Sequence, residues 1–334
     1  MEIRSTLTEV FEQYIRSREI DATTETVRSH RSRVGRFVDF CQEEYDITYT
    51  DEISGGLITQ YSLERSDDLE PISLKSQLHS IRIFLRFSEQ IEQLKKGTSE
   101  KVPIPDVDSA ESARTEHLTN EQADQVSEYL TKYKYASRDH VVYRLLWTTG
   151  MRRGAIRAID LGDFNSHEKW IKLNHRPDTD TPLKNGPKSE RYVSLDVTTN
   201  DIIKDYIENN RHNVVDEYDR EPLITTTHGR PHGQTHQSTA YSVTRPCQYT
   251  GDCPHDLDPT TCQAAKDKNK AYECPSSMST HPLRRGRITS DLRDGVPTAV
   301  IADRMDVSPS VIETHYDQMT QKEQMEQRRE SLGF

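Results

Sequence analysis

Long apolar runs are missing from the 334-residue chain: 32% of its residues are hydrophobic against 30% charged, and no stretch approaches the roughly 18 apolar residues that cross a bilayer as a helix. A membrane-spanning helix is excluded. The opening residues, MEIRSTLTEVFEQYIRSREI, carry charge throughout and lack the apolar segment of a secretion signal, so a cytoplasmic location is expected. An excess of positive charge is missing too. Lys and Arg total 44 against 55 Asp and Glu, a net of −11. The deficit is general: residues 1–99 hold 13 basic and 18 acidic side chains, leaving 31 and 37 for the remainder. Phosphate binding needs local positive charge, so any nucleic-acid surface has to be a patch. Cysteine is scarce and uneven, with Cys41 alone and Cys247, Cys253, Cys262 and Cys274 together within 28 residues. Without an export signal such a cluster reads as metal-binding before it reads as disulfides.

The length suits two domains. Residues 6–95 read as mostly helical. Over 24–41, Val27, Val34, Phe37, Val38 and Cys41 fall on one helical arc, with Arg28, Arg33 and Arg36 away from it. A second helix is expected from Ser73, as N-cap behind Pro71, to about Leu94. Its packing face is Leu74, Leu78, Ile81 and Leu85. Lys75, His79, Arg82 and Arg86 form a separate basic stripe without an acidic member, readable either as a solvated face or as a DNA contact. A linker covers 100–116, where Pro103 and Pro105 stand among few apolar residues, and the expected division is 1–99, linker, and 117–334. Beyond it helices are expected from Thr119, over 138–149 and after Gly150. Trp170–Leu173 and Arg191–Leu195 read as a β-hairpin joined through Pro182, Asn185, Gly186 and Pro187. Helices resume at 197–210 and again from His281, interrupted at Pro297 and Pro309, with the cysteine-rich segment 247–274 as a loop-rich insert. The fold class is mostly α with a small β-sheet: a helical N-terminal domain followed by an α+β domain.

The segments STHPLRRGRITSDLRDG and RMDVSPSVIETHYD, with LLWTTGMRRGAIRAIDLGDF before them, carry the chemistry. His281 and Arg284 lie three apart at a helix start and share a side of it. Tyr316 follows 32 residues after Arg284, and Arg152 stands just past a glycine turn. Guanidinium forks bind the non-bridging oxygens of a phosphodiester, and a tyrosine hydroxyl supplies a nucleophile. Taken singly, each residue reads equally well as an ordinary surface or packing residue.

Taken in order, the chain resembles the tyrosine recombinase family of phage integrases and Xer-type recombinases: a helical core-binding domain, a linker, then TGMR, a hairpin lysine, HPLRR and HY. The resemblance implies that Arg152 and Arg284 stabilise charge on the scissile phosphate. His281 would assist proton transfer or hold the phosphate, and Tyr316 would attack to leave a 3′-phosphotyrosine. Lys184, favoured over Lys188 because it precedes the turn, would protonate the leaving 5′ oxygen. It also implies double-stranded DNA as partner, clamped between the two domains, a homotetramer on two DNA sites, and no cofactor for catalysis.

Three positions depart from the family pattern. Ala155 stands where an acid usually follows the first arginine, Val307 where a His or Trp precedes the tyrosine, and Arg285 where a His is common. Losing one phosphate-directed donor costs about 10²- to 10³-fold in rate, so the alternative is a weak or inactive member acting as a DNA-binding regulator. The four clustered cysteines have CX5C, CX8C and CX11C spacings, looser than a zinc ribbon's. A structural zinc on Cys247, Cys253, Cys262 and Cys274 best accounts for a short polar insert that lacks a core; free thiols, or a site using His255, are the alternatives.

Overall fold

A computed structural model describes residues 4–106, 116–315, 325 and 329. The chain divides into two compact units, Met1–Arg114 and Thr115–Phe334. Both are mostly helical, and the second also holds a three-stranded antiparallel sheet.

The first unit is built on four helices, α1 (Leu7–Asp21), α2 (Thr24–Tyr45), α3 (Gly55–Asp68) and α4 (Pro71–Gln90). The Thr6 side chain and Glu9 close a reciprocal cap on α1, while Thr23 and Ser54 cap α2 and α3, each satisfying a backbone N–H that the helix leaves unpaired. Leu74, Leu78, Ile81 and Leu85 of α4 are buried against Phe11, Tyr14, Phe37 and Tyr61. The expected boundaries of α4 need correction. Pro71 occupies its first turn behind Glu70, because its fixed φ suits that position, so Ser73 lies inside the helix. The helix ends at Gln90, before Glu92 turns left-handed at φ +61°. The start of the expected linker also belongs to this unit: Val102 is buried, and its carbonyl accepts Arg82 Nη2 at 2.6 Å.

The second unit packs around α6 (Arg138–Thr149), whose Val141, Val142, Leu145 and Leu146 are buried. Against it lie α5 (Asn120–Tyr133), α7 (Arg153–Ala158), α8 (Val197–Asn209), α9 (Gly233–Thr244) and α12 (Thr280–Arg293), with the short α10 (Pro246–Tyr249) and α11 (Gln263–Lys266) between α9 and α12 in sequence. The helix α9 escapes a periodicity search because its buried positions include His236, Thr239 and Ser242. The strands β1 (Phe164–Asn165), β2 (Trp170–Leu173) and β3 (Arg191–Ser194) pair in that order, with Ile171 opposite Val193. Ile171, Leu173 and Val193 join the core while Trp170 and Tyr192 stack edge to face on the other side. The β2–β3 connection is no tight turn. It spans residues 174–190 and folds into short 3₁₀ turns at Pro177–Thr179 and Gly186–Ser189. Finally, α13 (Thr298–Met305) and α14 (Pro309–His315) cover the end of α12 through Ile288, Leu292, Ile301, Met305 and Ile312.

Candidate active site

The chain has to reverse sharply where α6 meets α7, and Gly150 makes that possible. It caps α6 at φ +60°, and a Cβ there would stand 2.5 Å from the Met305 sulfur, so both conformation and space require glycine. This brings the 150–152 loop onto the end of α13. Arg284, which is buried, staples the two together: its Nη1 donates to the Gly150 carbonyl at 2.8 Å and the Met305 carbonyl at 2.6 Å, and its Nη2 reaches the Asp306 carbonyl at 3.5 Å.

Asp306 ends α13 in the left-handed region, at φ +54°. Its carboxylate accepts Arg152 Nη1 at 2.5 Å, Asn185 Nδ2 at 2.9 Å and Ser189 Oγ at 2.8 Å. Burial by itself would raise this carboxyl's pKa; the hydrogen bonds from Ser189 and Asn185 and the charges of Arg152 and Arg191 outweigh it and hold the group below its ordinary value. Arg191 fastens the same loop to α13, donating to the carbonyls of Arg304 and Ser189. Lys184 and Lys188 are both exposed, and each immediately precedes a residue that donates to Asp306.

His281, in the first turn of α12, is exposed at its edge. Partial burial of its ring, then the charges of Arg284, Arg152, Arg285 and Arg153, lower its pKa from the ordinary histidine value, which favours the neutral imidazole. Two guanidiniums, a neutral imidazole and a lysine-bearing loop thus share one face of the second unit. Such a set binds an anionic ester and moves protons around it.

The structure therefore brings Arg152, Arg284, His281 and the loop of Lys184 together. Tyr316 lies outside the described residues. Ala155 is buried in the main core and supplies no carboxylate to Arg152. Val307 packs on the small cluster of α12, α13 and α14. The basic stripe belongs to the other unit, with His79 and Arg86 exposed and Lys75 and Arg82 half-buried. Sequence reasoning missed Asp306, Asn185 and Ser189. The available signal was an Asp at a helix end ahead of Ser-Pro, a residue type that tolerates the left-handed conformation. A cavity of about 740 Å³, bordered by Arg144, Trp147, Asp196, Arg287 and Arg304, includes none of the candidate catalytic residues.

The four clustered cysteines are free and half-buried. Cys253, Cys262 and Cys274 each open a turn in which their carbonyl accepts the N–H three residues on. Burial raises the Cys247 pKa, Arg245 opposes this, and Cys253, Cys274 and Cys262 add to it, so the thiols lie within electrostatic range of one another. Among the described residues, however, no group of three or more His, Cys, Asp or Glu side chains is arranged to hold a metal ion. No helix among them is long and apolar enough to cross a membrane.

No protein-family model matches the chain, and no curated protein matches it by sequence. Solved structures do match in fold. The chain is similar to the Tn1549 transposon integrase in complex with a circular intermediate DNA, with a TM-score of 0.69 at 14% identity over 98% of this chain and 100% of the other. It is likewise similar to a lambda integrase dimer bound to a COC′ core site, at a TM-score of 0.64 and 11% identity, covering 94% of this chain and 78% of the other. The chain shares the fold of these integrases.

Proposed function

We propose that the chain is a site-specific DNA recombinase that cuts and rejoins duplex DNA through a 3′-phosphotyrosine on Tyr316. The observation that carries this reading is the Met305–Asp306 turn, which gathers both arginines and the loop of Lys184 at one place, beside His281, in a fold shared with integrases solved on DNA. In this reading Arg152 and Arg284 stabilise the charge that develops on the phosphate. His281, kept neutral, accepts or relays the tyrosine proton, and Lys184 protonates the departing 5′ oxygen. The bond energy is retained in the covalent link, so rejoining needs no nucleotide. Strand exchange between two DNA sites calls for a homotetramer.

The rival reading, a DNA-binding regulator of little activity, draws on Val307 and Ala155. It loses its main motive if Asp306 does the work of the missing acid. The test is covalent capture: the protein is incubated with a randomised duplex library carrying a nick that lets the cleaved end diffuse away, denatured, and its bound DNA sequenced. Adducts at Tyr316 enriched for one sequence support the recombinase. DNA binding with no adduct, at Tyr316 or elsewhere, supports the regulator.

For the cysteine segment we propose a structural zinc held by Cys247, Cys253, Cys262 and Cys274. The support is chemical: four half-buried thiols, three of them opening turns, in a segment whose apolar burial is limited to Ala264, Ala271 and Met278. The described arrangement does not close a coordination sphere, so the site is a proposal about composition and stability. No catalytic step passes through it.

A further inference from the structure

We infer that Asp306 is a positioning residue for Arg152, supplying from the end of α13 the carboxylate that Ala155 does not supply from α7. The inference rests on the recombinase reading and deepens it.

The geometry argues for an inner partner and not for a competitor of the phosphate. The Asp306 side chain keeps 17% of its surface exposed against 30% for Arg152, and its two oxygens are taken up by Arg152, Asn185 and Ser189. The hydrogen bond described for Arg152 uses Nη1 alone, which leaves the Nε and Nη2 donors of the fork for a phosphate. The same turn fixes Arg284 through the carbonyls of Met305 and Asp306. One left-handed residue thus sets the separation of two guanidiniums and docks the loop on which Lys184 and Lys188 lie. A guanidinium held in place before the substrate arrives costs no reorganisation when charge develops.

Asp306→Asn is the gentlest test. Asn tolerates the left-handed backbone as well as Asp does and keeps one acceptor oxygen, so it removes the charge and one of the two acceptors, its amide nitrogen facing either Asn185 or Arg152 and Ser189. On the duplex selected by the wild-type protein, single-turnover cleavage by Asp306→Asn should fall about 10- to 100-fold while DNA affinity holds. In an Arg152→Ala background the same change should add much less, leaving only what it does to the Lys184 loop through Asn185 and Ser189. Without DNA, phenylglyoxal labelling of Arg152, mapped by mass spectrometry, should rise in Asp306→Asn. If that variant melts early, Asp306→Glu, which keeps the charge but displaces it, should show the same rate loss. Wild-type adducts with unchanged or faster Asp306→Asn cleavage, or fully additive effects with Arg152→Ala, overturn the inference alone. Absence of wild-type adducts removes the recombinase reading and this inference with it.

Discussion

Asp306 stands 154 residues from Arg152 in sequence and 2.5 Å from it in space. A local acid on α7 would have to sit at Ala155, inside the apolar core, where an ionised carboxylate is costly. Asp306, at the end of a distant helix, offsets its own burial with three donors and ties α7, α13 and the β2–β3 loop together in one contact.

The two arginines should separate by stability. Arg284 is buried and its removal orphans the carbonyls of Gly150 and Met305, so Arg284→Ala should cost about 2–4 kcal/mol of folding stability. Arg152→Ala should cost much less. Both should lower cleavage by about two orders of magnitude or more. Denaturant unfolding beside single-turnover cleavage checks this; cleavage within a few-fold of wild type for either variant refutes its role on the phosphate.

The acid side of the rate profile should report His281. Its folded pKa lies below the ordinary value, so in the free protein the neutral, proton-accepting form persists at pH values where an ordinary histidine, at about 6.5, is already charging. The acid limb of kcat/KM should therefore bend below that value and disappear in His281→Ala. A limb centred at or above it would assign the titration to another group.

Leaving-group chemistry should choose between Lys184 and Lys188, each of which precedes a residue that donates to Asp306. A substrate with a 5′-bridging sulfur needs no proton on departure. Lys184→Ala should be rescued by it, and rescue of Lys188→Ala instead would transfer the role.

The helices of this fold are legible in sequence where a cap and an apolar period coincide, as at Thr119 for α5 or in the buried positions of α2. The helix α9 is not, because hydroxyl and imidazole groups line much of its inner face. The order TGMR, HxxR and HY is local text and can be read directly. What positions those residues is not local: Asp306 reaches Arg152 only because Gly150 lets α6 turn onto Met305 and because Arg284 closes the loop from a third helix. The 174–190 connection is similarly opaque. Its course depends on Asn185 and Ser189 finding a carboxylate more than a hundred residues later.

Purified protein should carry about one zinc per chain, and chelation should destabilise the 247–274 segment to proteolysis without directly stopping cleavage. That segment is tied to the core by Arg245, which donates to the Ala264 carbonyl, and by the Lys268–Asp139 pair at 2.5 Å. Loosening should therefore remain confined to it at first. Elemental analysis finding no metal in protein prepared without chelator would leave four free thiols, titratable with a thiol reagent in the native state.

On α4 the basic stripe divides by what the structure does with each member. Arg82 spends a donor on the Val102 carbonyl, so Arg82→Gln should lower stability as well as any affinity for DNA. Arg86 and His79 are exposed, and Leu74, Leu78, Ile81 and Leu85 hold the helix from an adjacent face about 100° away, so Lys75→Gln with Arg86→Gln should leave the fold intact. If the stripe tracks phosphates, that pair of changes should flatten the log–log dependence of DNA binding on salt by roughly 0.9 per lost phosphate contact, at an unchanged melting temperature. The neighbouring helix gives the alternative. Arg28 is engaged with Glu25 at 2.9 Å in an exposed pair, and Arg33 reaches Ser80 of α4 at 3.4 Å, so Arg33 borders the stripe. A salt slope unaltered in the folded Lys75 and Arg86 variant, but flattened by Arg33→Gln with Arg36→Gln, would move the DNA surface of this unit from α4 to α2.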